Sequence, residues 1–205
     1  MKYNYYLFDL DGVIVNTDHI QYKSICDAIT EIISYDISSD LKVDAVFRST
    51  ITTLEKLNFL SNYVPLNKSL ISDIYERKKQ LADKHFLKLK TDTIKIEMMR
   101  YLKTNQCKIA IVTNSNKKST TEILKNIGVH DFIDVAIANE DVLNKKPNPD
   151  PYLKAIEVLG ASKKECIIFE DSEVGLISAK NSGCNFYHVL SHSDVNINLV
   201  KMLNE

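Results

Sequence analysis

Five short apolar runs, separated by stretches with helical periodicity, constrain the fold of this chain more than any other feature. They are residues 5–8, 109–112, 135–138, 166–169 and 186–190. Each is continuous rather than alternating, which is the pattern of strands covered on both faces. Between the later runs lie segments with apolar residues three and four apart. Residues 117–127 carry Ile123, Leu124 and Ile127 and are followed by Gly128. Residues 150–159 carry Leu153, Ile156 and Leu159 and are followed by Gly160. Residues 173–182 carry Val174, Ile177 and Ala179 and are followed by Gly183. A glycine after the last periodic residue is a helix stop. Strands alternating with helices of this length predict an α/β fold, a doubly wound, Rossmann-like parallel sheet with helices on both faces.

The segment 16–90 breaks this rhythm. It has no glycine, one proline (Pro65) and no convincing strand. Tyr22, Cys26, Ile29 and Ile33 follow a helical period, as do Leu54, Leu57 and Leu60, and then Ile71, Ile74, Lys78 and Leu81. The organisation predicted is a core of residues 1–15 and 91–205 with a helical domain, 16–90, inserted after the first strand.

Composition excludes several classes. In 205 residues, 44% are hydrophobic and 26% charged, ordinary values for a folded globular chain. Lys and Arg number 26 against 27 for Asp and Glu. That balance does not indicate a nucleic-acid binder. No apolar stretch approaches the ~20 residues of a membrane helix, and Asp9 and Asp11 interrupt the N-terminal run, so no signal peptide is expected. Cys26, Cys107, Cys166 and Cys184 form no C-x-x-C motif and lie among apolar residues. They read as buried, reduced thiols of a cytoplasmic protein. Near-neutral charge and the lack of an exposed heptad make a monomer the default. There are five glycines, none between Gly12 and Gly128, and neither common glycine-rich phosphate loop can be written from them. Any phosphate must be held in another way.

Polar residues gather where the apolar runs end. Asp9 and Asp11 follow the first run and Gly12 lets the chain turn away. In a parallel sheet that edge is where ligands bind. Thr113 and Asn114 end the second run; they suit phosphate oxygens, or alternatively a helix N-cap. Three of the four prolines surround Lys146-Pro147-Asn148-Pro149-Asp150-Pro151, a stiff frame for a positioned cation. Glu170 and Asp171 end the fourth run. Stacked beside Asp9 and Asp11 they demand a cation, and an all-oxygen donor set favours Mg²⁺ over zinc.

These four stretches, in this order, resemble the haloacid dehalogenase superfamily, in its β-phosphoglucomutase and phosphoglycolate phosphatase-like group with a helical cap after the first motif. The resemblance implies a phosphatase acting on a small phosphomonoester. It implies Asp9 as nucleophile and Asp11 as acid and base. Mg²⁺ would be held by Asp9, Asp171, the backbone carbonyl of Asp11 and, directly or through water, Glu170. Thr113, the backbone around Asn114 and Lys146 would hold phosphate. An acid at position 11 speaks against the dehalogenase branch. A non-catalytic phosphometabolite binder would be expected to lack one of these motif residues; all are present.

Some positions depart from the family pattern. Asn16-Thr17-Asp18 has an amide where many relatives have an acid. Sugar-phosphate mutases carry a His where this chain has Gln21, and a Gly and an Arg in a cap loop that here reads Val46-Phe47-Arg48-Ser49-Thr50. A phosphatase is therefore expected ahead of a mutase. Thr17, Gln21 and Arg48 are the candidate substrate residues of the cap, although an isolated Arg on a helical domain such as Arg48 is more often a solvated side chain. Lys117 and Lys118 read as surface helix charges.

Overall fold

The strands form where β-branched and aromatic residues run together and polar turn residues cut them off. The computed structural model describes residues 1–49 and 52–205. In chain order it contains β1 (Tyr5–Phe8), α1 (Asp18–Ile33), α2 (Leu41–Arg48), α3 (Thr53–Leu60), α4 (Lys68–Phe86), α5 (Thr93–Thr104), β2 (Lys108–Val112), α6 (Lys117–Asn126), β3 (Val135–Ile137), α7 (Asp150–Leu159), β4 (Cys166–Glu170), α8 (Glu173–Ser182), β5 (Asn185–His188) and α9 (Ile197–Met202). Two compact units result: Met1–Asn16 with Leu89–Glu205, and Thr17–Lys88. Among the described residues no helix is long and apolar enough to cross a membrane.

In the first unit all five strands are parallel, in the order β3-β2-β1-β4-β5. The chain lays down β1, β2 and β3 towards one edge, then returns to add β4 on the other side of β1. The order therefore reverses between β1 and β4, and the carboxyl ends of these two strands flank the crevice where parallel α/β folds bind ligands. Alternation gives the sheet two apolar faces. Leu7, Ala110, Val112 and Ile168 pack with Tyr152, Ala155 and Ile156 of α7 and Ala179 of α8. On the opposite face Tyr6, Phe8 and Phe169 stack, with the Phe8 and Phe169 rings 4.7 Å apart. Offset aromatic pairs of this kind add about 0.5–1.5 kcal/mol beyond the area they bury.

Two edge strands differ from their sequence reading. Ala138 falls outside β3, and β5 begins at Asn185 and ends at His188, so Val189 and Leu190 lie beyond it. An edge strand is paired on one side only, so its ends are set by the neighbouring register. Here that register runs from Ile167↔Asn185 to Glu170↔His188. Helices α5 and α9 belong to this unit and α2 to the other; α2, of eight residues, and α9, of six, are too short to show a helical period. A buried cation also joins this unit together: Lys95 of α5 donates to the carbonyls of His192 and Val195, each at 2.6 Å. Burial pulls its ammonium down to about 8.

The second unit is helical. Its core is Ile25, Ala28 and Ile29 of α1, Val43 and Phe47 of α2, Leu57 and Leu60 of α3, and Ile74 and Leu81 of α4, joined by Ile37. Asp40, Thr52 and Asn67 cap α2, α3 and α4 by accepting from backbone N–H groups of the first turn. Cys107, Cys166 and Cys184 are buried free thiols as expected, whereas Cys26 is only half-buried, packed at the margin of the helical core.

Candidate active site

Asp9 and Glu170 are brought together by register. Phe8 pairs with Phe169, and the next residues on the two strands are Asp9 and Glu170. The Asp9 N–H donates to the Phe169 carbonyl at 3.0 Å, extending the ladder by one step. Side chains at equivalent positions of neighbouring parallel strands point to the same face, so the two carboxylates emerge side by side. Both are buried, and Glu170 has no solvent exposure at all.

Lys146 lies between them. Its Nζ donates to Asp9 Oδ1 at 2.6 Å, to Glu170 Oε1 in a short contact, and to the Val112 carbonyl at 2.7 Å. The loop carrying Lys146 is anchored to the end of β2. The Lys146 N–H donates to Asn114 Oδ1 at 3.2 Å, and Asn114 Nδ2 donates back to the Lys146 carbonyl at 3.3 Å. The Asn114 side chain is thus occupied in fixing the Lys146 backbone. Thr113 is buried, and its Oγ1 accepts from the Ser115 N–H at 3.0 Å. Neither residue is a helix cap; Asn116 caps α6.

Asp171 completes an acidic cluster. One oxygen each from Asp9, Glu170 and Asp171 lies within 4.8 Å of the others. The Asp11 carboxylate stands apart from that cluster and accepts from Ser115 Oγ at 3.2 Å. Two glycines make room for the carboxylates. A Cβ on Gly12 would sit 2.0 Å from Asp171 Oδ2, and one on Gly175 would sit 2.0 Å from Glu170 Oε2. Gly12 also has φ +79°, the left-handed region that disfavours other residues.

The electrostatics follow from burial and crowding. Burial pushes the Asp9 carboxyl well above its ordinary value, with Lys146 pulling the other way and Glu170 adding to the rise. Asp171 is pushed up to about 6, by burial first and by Glu170 next. Burial works against the Lys146 ammonium, yet Asp9 and Glu170 outweigh it and raise its pKa. Three carboxylates against one ammonium leave excess negative charge in a buried place. A hard divalent cation, bound by oxygen donors only, fits this set.

Several residues at the site carried no signal beyond their place in a motif. Tyr152 of α7 donates its hydroxyl to Glu170 Oε1 at 2.5 Å, and its ring lies 4.8 Å from Lys146 Nζ. Ser115 holds Asp11, and Ser172 caps α8 by accepting from the Gly175 N–H. Tyrosine and serine are common enough that only tertiary placement singles them out.

Thr17 is buried at the start of α1. Gln21 accepts from Lys78 Nζ in a short contact. Arg48 pairs with Asp44 at 2.7 Å, donates to the Tyr22 hydroxyl at 3.0 Å, and lies 4.1 Å from the Tyr22 ring centre. It is exposed, but its position is fixed by those partners. Thr50, the last residue of the Val46–Thr50 segment, lies outside the described residues. Lys117 opens α6 and pairs with Asp141 at 2.5 Å, a surface helix charge as read from the sequence.

The buried acid–lysine cluster lies where the strand order of this parallel α/β unit reverses, and sequence similarity gives its class. The match is specific: the family model described as haloacid dehalogenase-like hydrolase covers residues 6–189, and the chain belongs to that family. Pyrophosphatase PpaX of Halalkalibacterium halodurans is 28% identical over 186 residues, covering 89% of this chain and 81% of the relative. The phosphorylated carbohydrates phosphatase of Thermotoga maritima is 25% identical over 190 residues, covering 91% and 85%. In fold, the chain is similar to the β-phosphoglucomutase structure from Clostridium difficile. The TM-score is 0.75 at 19% identity, covering 98% of this chain and 96% of that one.

Proposed function

We propose that the chain is a Mg²⁺-dependent phosphatase of small phosphorylated metabolites that works through an aspartyl-phosphate on Asp9. One observation carries this: a buried ammonium, Lys146, bridges Asp9 and Glu170 where β1 and β4 end, with Asp171 completing the oxygen cluster. Membership of the family and relatives named as phosphatases support it.

A carboxylate oxygen of Asp9 attacks phosphorus, and the bond from phosphorus to the ester oxygen breaks. The carboxyl of Asp11 gives its proton to the departing alcohol. Water then attacks the aspartyl-phosphate, Asp11 takes its proton, and inorganic phosphate leaves with the Asp9 carboxylate restored. Ser115 keeps Asp11 turned for both transfers. Lys146 pairs with Asp9 and with the phosphate oxygens, stabilising charge as it develops. Thr113 and the backbone at Asn114 hold those oxygens. Asp9, Glu170, Asp171 and the Asp11 carbonyl would hold Mg²⁺, which supplies charge neutralisation between carboxylate and phosphate.

The helical unit is proposed to select the substrate, with Thr17, Gln21 and Arg48 contributing. A panel of phosphomonoesters, pyrophosphate included, assayed with Mg²⁺ for released phosphate, tests the proposal. Hydrolysis of at least one metabolite, lost in Asp9→Asn, is expected. A folded, Mg²⁺-supplied protein that hydrolyses none overturns it. Interconversion of hexose phosphates primed by a bisphosphate, with little phosphate release, would favour the mutase instead.

A further inference from the structure

Tyr152 is absent from the steps above, yet it touches both partners of the central ion pair. Its hydroxyl donates to Glu170 Oε1 at 2.5 Å, and its ring lies 4.8 Å from Lys146 Nζ. It is fully buried. Lys146 and Tyr152 belong to one short segment: the loop supplies the cation, and the first turn of α7, opened by Pro149, Asp150 and Pro151, supplies the phenol.

The two oxygens of Glu170 are not equivalent. Oε1 takes both strong donors, Lys146 and Tyr152. Oε2 has only Ser172 Oγ, at 3.4 Å, while the whole carboxylate lies over the space left by the missing Cβ of Gly175. With one donor on Oε1 the carboxylate could pivot about the Lys146 contact. The second donor, arriving from a rigid helix, fixes its plane. A buried carboxylate held in this way presents one defined oxygen to the cluster it shares with Asp9 and Asp171.

We infer that Tyr152 is a positioning residue for the cation site, orienting Glu170 through its hydroxyl within the oxygen cluster it shares with Asp9 and Asp171. This rests on the proposed Mg²⁺-dependent chemistry. Tyr152 touches neither substrate nor the reacting atoms; it acts through Glu170. The ring alone would suffice for packing and for its contact with Lys146, so the hydroxyl is the part assigned this role. Hydrogen-bond partners of metal-binding residues are typically worth 10–100-fold in metal affinity or activity.

The test is Mg²⁺ titration by calorimetry of the full chain, wild type against Tyr152→Phe, with far-UV circular dichroism as the folding control. The expected result is Mg²⁺ affinity at least tenfold weaker, with substrate KM at saturating Mg²⁺ changed less than threefold. In a Glu170→Gln background the same substitution should change Mg²⁺ affinity less than twofold, because Tyr152 acts through the carboxylate. A purely structural role would lower stability equally in both backgrounds and leave Mg²⁺ affinity unmoved. Wild-type binding of Mg²⁺ matched within twofold by Tyr152→Phe overturns this inference alone. A wild type that binds no Mg²⁺ overturns it together with the proposed function. Should the phenylalanine chain not fold, wild type labelled with fluorotyrosine serves instead. One buried tyrosine resonance should shift in fluorine NMR on Mg²⁺ addition, and no shift overturns the inference.

Discussion

Replacing Gly175 by alanine should destabilise the protein, against the ordinary rule for helices. Gly175 lies in the first turn of α8. In a helix interior alanine is favoured over glycine by about 0.8–1 kcal/mol. Here the new Cβ would stand 2.0 Å from Glu170 Oε2, 2.1 Å from Cδ and 2.2 Å from Oε1. Such contacts force one group to move. The helix backbone is held by the Ser172 cap, so Glu170 must yield. Glu170 is buried and pinned by Lys146 and Tyr152, so moving it breaks both hydrogen bonds. Bonds to charged groups are worth roughly 1.5–3 kcal/mol each. Two of them less the helix gain leave a net loss of roughly 2–5 kcal/mol. Urea unfolding followed by far-UV circular dichroism measures it. In a Glu170→Ala background the obstruction is gone, and Gly175→Ala should become neutral or stabilising by up to about 1 kcal/mol. A single Gly175→Ala chain as stable as wild type would refute the assigned role of this glycine.

Other perturbations test the remaining features. Asp9→Asn should abolish phosphate release in a coupled phosphate assay while leaving thermal stability equal or higher, since burial and Glu170 make the Asp9 charge costly. Asp171, pushed up to about 6 from 3.8, must shed a proton to take a cation at lower pH. Mg²⁺ binding at pH 5.5 should therefore release protons, seen as a calorimetric enthalpy that varies between buffers, and should weaken as pH falls below about 6. The sign for folding is the reverse of a salt-bridged acid. Without metal, the folded state binds more protons here than the unfolded, so Asp171 lowers stability as pH rises from about 4 to 6. Mg²⁺ should restore that loss, as read from melting temperatures across the window. Lys95→Met removes one ammonium that makes two hydrogen bonds to backbone carbonyls; its relief of the buried charge offsets part of their loss, leaving a cost of roughly 1–3 kcal/mol. Hydrogen exchange should quicken over residues 192–196, which those bonds hold.

Much of the first unit was legible because its information is local. Apolar runs fixed β1, β2 and β4, and Gly160 and Gly183 marked the ends of α7 and α8. β3 and β5 end one or two residues away from their apolar runs, since pairing with a neighbour rather than residue type ends an edge strand. The helical unit was legible as helices only. Why Arg48 is held depends on Asp44 one turn earlier and on Tyr22 of another helix, and the second of these has no sequence pattern.

The sequence by itself determined the parallel α/β class, the helical insertion, which carboxylates follow the strands and which lysine the prolines frame. Those follow from periodicity and from short motifs, which are interactions within a few residues. The tertiary structure alone decided how the polar groups meet. Lys146 reaches Asp9 across 137 positions and Glu170 across 24. Ser115 holds Asp11, Tyr152 pins Glu170, and Gly12 and Gly175 leave room for Asp171 and Glu170. Buried charge is stable only where its partners converge from separate elements, and that convergence is set by sheet register and helix placement rather than by spacing along the chain.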